Sequence, residues 1–203
     1  MEEFKGANVK EFAEVASDFC QLLEQASKLR TGELLGQLQQ IFPLIYQKSA
    51  QLPKPKYCYE EEPKRFVTEE NYAMVHDAIQ QKLELYFGIT QMSPGTRPNR
   101  FEVMSFSIAE SITDAYEELK NFIKLYEIGI PQAMNDAVWI YRHNFEQNLG
   151  LKFIDCLKSL HQILYDKSME GSRAMQNGDF GQDQKGEEPW YSDDQEEVYE
   201  DDE

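Results

Sequence analysis

Apolar residues recur in steps of three and four along most of the chain. The first stretch, Phe12, Val15, Ala16, Phe19, Leu22, Leu23, Ala26 and Leu29, lies on one helical face. Asn8 stands where a cap belongs, Thr31 and Gly32 punctuate the end, and Thr31 is placed to cap the next helix. A second stretch, Leu34, Leu35, Leu38, Ile41, Phe42, Ile45 and Tyr46, predicts a helix that contains Pro43. Proline lacks the amide donor and crowds the carbonyl four residues back, so a kink or break is expected there. The stretch 51–65 holds Pro53, Pro55 and Pro63 and reads as a linker. A third helix then starts at Thr68, whose hydroxyl can accept from first-turn amides, with Val67 and Tyr72 spaced as a hydrophobic staple. Its buried face is Tyr72, Val75, Ile79, Leu83 and Tyr86, and Gly88 ends it.

Residues 88–106, with Pro94, Gly95 and Pro98, are expected to form a long loop. Ser107 and Glu110 have the spacing of a capping box, ahead of Ile108, Ile112, Ala115, Leu119, Phe122, Ile123 and Tyr126. Gly129 closes that helix and Pro131 fits the first turn of the next. From Met134 through Val138, Tyr141, Phe145, Leu149, Phe153, Cys156 and Leu160 to Leu164 the apolar phase does not slip at Gly150. One continuous or kinked helix is favoured over a break near Asn148–Gly150. No stretch alternates with period two. The predicted fold is all-α, an antiparallel bundle of five or six helices over residues 1–166, with a disordered acidic C-terminal tail over 167–203.

Charge sharpens that division. The tail contributes −10 of the chain's net −17, which leaves −7 for residues 1–166. Between 187 and 203, ten of the seventeen residues are acidic and none is basic, yet Trp190, Tyr191, Val198 and Tyr199 sit among them. Such a run is expected to stay unfolded alone. It repels nucleic acid and anionic membranes and attracts basic proteins. Three cysteines, odd in number and far apart, together with no signal-peptide pattern and no apolar run near 18 residues, lead to the expectation of a cytoplasmic protein.

Catalytic patterns are scarce. The residues three before His76, His143 and His161 are Ala73, Ile140 and Lys158, so the Glu-x-x-His pairs of di-iron bundles are missing. No metal or other cofactor is expected. Cys20 and Cys156 fall on apolar helix faces, where cysteine behaves as a small core residue. The most polar-aromatic stretch inside a helix is "NDAVWIYRHNFE": Asn135, Asp136, Trp139, Arg142, His143 and Glu146 form a second face opposite the apolar one. It is either a solvated rim with an Asp136–Trp139–His143 stripe, or a partner surface on which Trp and Arg serve as anchors.

"IFPLIYQKSAQLP" (41–53), "AMNDAVWIYRHNFEQNLGLKFIDCLKSLHQILY" (133–165), "VKEFAEVASDFCQLLE" and "KRFVTEENYAMV" together resemble the family known as domain of unknown function 5063. The resemblance implies an all-helical bacterial protein without an established activity. It also implies an aromatic before the glycine at 150, where this chain has Leu149. A 3′–5′ exonuclease gene neighbour is a further implication. The leading expectation is a non-enzymatic interaction module for a protein partner, a basic one in particular. Its candidate binding residues are Asp136, Trp139, Arg142, His143, Glu146, Trp190, Tyr191 and Tyr199. The alternatives are an acidic regulator or inhibitor of a nucleic-acid-processing enzyme, and a ligand binder or enzyme using the 135–146 face.

Overall fold

The structure, a computed structural model, describes residues 3–58, 65–88 and 99–165, and the side chains of all these except 3, 85–88 and 99–107. The tail, with Trp190, Tyr191 and Tyr199, lies outside the described residues. The fold is an all-α bundle: α1 (Ala7–Glu24), α2 (Thr31–Ala50), α3 (Glu69–Gly88), α4 (Asn99–Glu127), α5 (Pro131–Asn144) and α6 (Gly150–Tyr165). α4 is central and packs against α1, α3, α5 and α6, while α2 packs against α1 and α6.

The periodic apolar residues fill one continuous core. Phe12, Phe19, Leu34, Leu38, Phe42, Ile79, Ile112, Leu119, Tyr141 and Phe153 are all sealed from solvent. Phe12, Phe122 and Tyr141 meet with ring centroids 4.6 to 5.7 Å apart, which ties α1, α4 and α5 together. Among the described residues the deepest hydroxyls are paired: Ser49 and Tyr141 share a hydrogen bond of 2.8 Å, and Thr113 donates to the Ala109 carbonyl at 2.8 Å.

Several local expectations are corrected. α1 begins at Ala7 behind Gly6, and the Asn8 side chain donates to the Gln51 carbonyl instead of capping its own helix. Arg30, not Thr31, precedes α2, and Thr31 is buried in the first turn. α2 runs unbroken through Pro43. The sharpest correction concerns residues 99–107, which are helical, so α4 starts at Asn99, directly after Pro98. Ser107 therefore sits inside the helix and cannot cap it. Other signals hold: the Thr68 hydroxyl accepts the Asn71 amide at 3.2 Å, and Gly129 takes the left-handed φ of 76° that ends α4.

The helical run from Pro131 to Tyr165 is continuous but not uniform. Between α5 and α6 the residues Phe145–Leu149 form one π-helical turn, in which the hydrogen bonds span five residues rather than four. Gly150 follows, and a β-carbon there would meet the Phe145 carbonyl at 3.0 Å and the Phe145 ring at 3.2 Å. The glycine is thus required by close approach. Its helix penalty of about 1 kcal/mol relative to alanine is outweighed by the packing it allows.

Gly150→Ala is accordingly expected to lower stability by about 1–2 kcal/mol despite the better helix former, because crowding against main chain costs about 1–3 kcal/mol. Urea unfolding checks this. A raised midpoint would show that the π turn relaxes freely.

Candidate functional site

The link between α2 and α3 is held by buried polar groups at both ends. On the α2 side, Asp136 of α5 accepts the Cys58 amide at 2.8 Å and the Asn135 side-chain amide at 2.9 Å. Asn135 also donates to the Lys56 carbonyl at 2.6 Å. On the α3 side, Asn121 of α4 accepts the Phe66 and Val67 amides on its Oδ1, at 2.7 and 3.1 Å. Two N–H donors converge on that atom, so it must be the oxygen, and the Nδ2 group faces elsewhere. That Nδ2 is sealed from water and has no partner among the described residues. A buried donor left unpaired costs about 1–3 kcal/mol.

Between these two anchors, α4 and α5 part to form a half-open cleft of about 390 Å³. Its floor is apolar, made by Phe122, Leu125, Ala137 and Tyr141. Trp139 and His143 stand along one side, stacked nearly parallel at 5.0 Å, and Tyr57 from the link leans on Trp139 at 4.7 Å. Polar groups converge at the rim: Arg65, Glu118, Asn121 and Asn144. Arg65 donates to Glu117 at 2.7 Å and to Glu118 at 3.0 Å, and Asn144 donates to Glu118 at 2.6 Å.

A second cleft of about 370 Å³ adjoins the first and shares Arg65, Glu118 and Asn144 with it. Gln147, Asn148 and Leu149 of the π turn line it, as do Asp114, Glu117 and Lys152. Leu149, where the family resemblance implies an aromatic, is therefore a wall residue. Lys152 pairs with Asp114, which also accepts the Tyr72 hydroxyl at 2.7 Å. Burial, with this carboxylate acceptor beside it, pushes the Tyr72 hydroxyl well above its ordinary range.

The polar face expected at 135–146 is thus split three ways. Trp139 and His143 enter the cleft. Asp136 does not belong to a solvated rim: it is fully buried and acts as an anchor for the link. Arg142 and Glu146 point away toward α2. Arg142 donates to the Ser49 carbonyl at 2.6 Å, near the end of α2 where carbonyls lack helical partners, and pairs with Glu146 at 2.8 Å. The Lys54 ammonium at 2.6 Å, helped by Arg142, holds Glu146 below the usual carboxylate range. Tyr57, Arg65, Glu118, Asn121 and Asn144 were not foreseen as site residues.

A family model described as a domain of unknown function (DUF5063) matches residues 5–166. The chain belongs to this family. Among solved structures, this DUF5063 chain is similar to protein BF1032 from Bacteroides fragilis, with a TM-score of 0.68 and 29% identity. That likeness covers 81% of this chain and 96% of the other. No curated protein matches. Among the described residues, no helix is long and apolar enough to cross a membrane, and no group of three or more His, Cys, Asp or Glu is placed to hold a metal ion.

The cysteines of the DUF5063 bundle differ sharply in environment. Burial pushes the Cys20 and Cys156 thiols up to about 12, whereas Cys58 is exposed on the link. At pH 8 one thiol per native chain, Cys58, is therefore expected to react with a maleimide, and all three after denaturation, as mass spectrometry would show. Asp136→Ala leaves the Cys58 amide without its acceptor and is expected to cost about 1–3 kcal/mol. It should also speed tryptic cleavage after Lys56. Unchanged cleavage would mean that the link is held by other contacts.

Proposed function

We propose that this DUF5063 protein is a non-enzymatic interaction module whose recognition site is the α4–α5 cleft. One observation carries the reading: a half-open, aromatic-walled cleft of about 390 Å³ with Arg65, Glu118, Asn121 and Asn144 at its rim. Clefts with an apolar floor and few polar groups are typical recognition sites.

The state of the charged groups favours binding over chemistry. Arg65 is shared between Glu117 and Glu118, and Lys152 is paired with Asp114, so neither cation is free to act on a substrate. Two of the three thiols are locked in the core in their protonated form. A surplus of negative charge, −17 overall, favours a basic protein partner, and the acidic run at 187–203 adds to its attraction. The free cysteines suit a reducing compartment, and we place the protein in the cytoplasm.

Affinity capture with the full chain, with Trp139→Ala and with a 1–166 truncation tests this reading. Trp139→Ala is expected to reduce the recovered partner about tenfold, as loss of an aromatic anchor does, with an unchanged helical circular-dichroism spectrum. The truncation is expected to weaken capture in a salt-dependent way. Full retention by Trp139→Ala, or no partner retained by the full chain, overturns the proposal.

A further inference from the structure

The two clefts form a single elongated groove, because Arg65, Glu118 and Asn144 form a saddle common to both. Its ends differ in chemistry. The first cleft is aromatic and its rim is neutral, with one cation and one carboxylate, Arg65 and Glu118. The second gathers three carboxylates, Asp114, Glu117 and Glu118, against two cations, Arg65 and Lys152. Both cations are already engaged in ion pairs. The lining of the second cleft therefore keeps one uncompensated negative charge.

Resting on the cleft reading above, we infer that the groove takes an extended segment of a partner polypeptide, with an aromatic side chain in the first cleft and a lysine or arginine a few residues away in the second. An elongated site of two adjoining clefts fits a chain better than a compact molecule. The half-open side admits main chain. Charge decides the sign of the neighbouring residue: an acid would face Asp114, Glu117 and Glu118 with no free cation among the described lining residues to offset them. The same reasoning disfavours the chain's own aromatics at Trp190, Tyr191 and Tyr199, which lie in a run of ten acids without a base.

Capped peptides test the inference by titration against the full chain. Lys-Gly-Trp-Gly-Lys and Glu-Gly-Trp-Gly-Glu place like charge on both sides of the anchor, so chain direction does not matter. A third peptide carries residues 187–203. The lysine peptide is expected to bind about tenfold tighter than the glutamate peptide at low salt, with the gap closing as salt is raised. Glu117→Gln leaves Arg65 its bond to Glu118 and is expected to narrow the gap by about threefold. Trp139→Ala should weaken both short peptides by about tenfold.

Each other result points to one failure. If Trp139→Ala weakens both peptides yet they bind equally, the cleft stands and the cationic neighbour is wrong. A gap untouched by Glu117→Gln would come from the overall charge and also overturns the inference. Should Trp139→Ala change nothing, or should no short peptide bind at millimolar concentration, the cleft reading falls with it. Tighter binding of the 187–203 peptide would make the chain's own tail the occupant.

Discussion

The close approach of Phe145 to Gly150 is the constraint on which the arrangement turns. A side chain at 150 would collide with both the carbonyl and the ring of Phe145. Its absence lets the helical run widen by one residue without breaking. Upstream, α5 faces α4 and the α2–α3 link; downstream, α6 packs into α2 and α4. The widened turn also sets Gln147, Asn148 and Leu149 along the second cleft. One helical run thereby serves two faces, and π turns of this kind are frequent where helices carry function.

Polar side chains join the apolar packing of Leu52, Phe66 and Val67 in fixing the described ends of the link. Asp136 and Asn121 each spend their acceptors on main-chain amides of a segment distant in sequence. Apolar contacts tolerate sliding, whereas a hydrogen bond to a fixed amide does not, and a lost partner is expensive in the interior. The cleft is the space these two pins leave between them. Its shape is therefore set by directional bonds on both sides, with Tyr57 and Arg65 delivered to the rim as a result.

Much of the bundle was legible because burial follows helical period: Phe12 through Leu23, Leu34 through Ile45 and Ile108 through Ile123 form the core that their spacing announces. The start of α4 was not, since Pro94, Gly95 and Pro98 lie just before it and no cap residue marks Asn99 as the start more strongly than Ser107. The π turn did leave a trace. Tyr141, Phe145, Leu149 and Phe153 follow one another at three successive steps of four, more than a regular helix of 3.6 residues per turn keeps on one face. Of the site, Trp139 and His143 could be found on one helix by spacing alone. Asp136 was misread because a carboxylate suggests a wet surface, and nothing local reveals a bond to an amide 78 residues away. Arg65, Glu118 and Asn121 meet the cleft only through tertiary packing, to which periodicity is blind.

Because the rim is built partly from the α2–α3 connection, the proposed recognition site draws on residues outside the packed core. Tyr57 and Arg65 contribute to the walls while standing outside the oily interior. On the proposed reading, replacing them changes what the cleft accepts while the core side chains keep their places, so relatives sharing this scaffold could diverge in preference through one short connecting stretch.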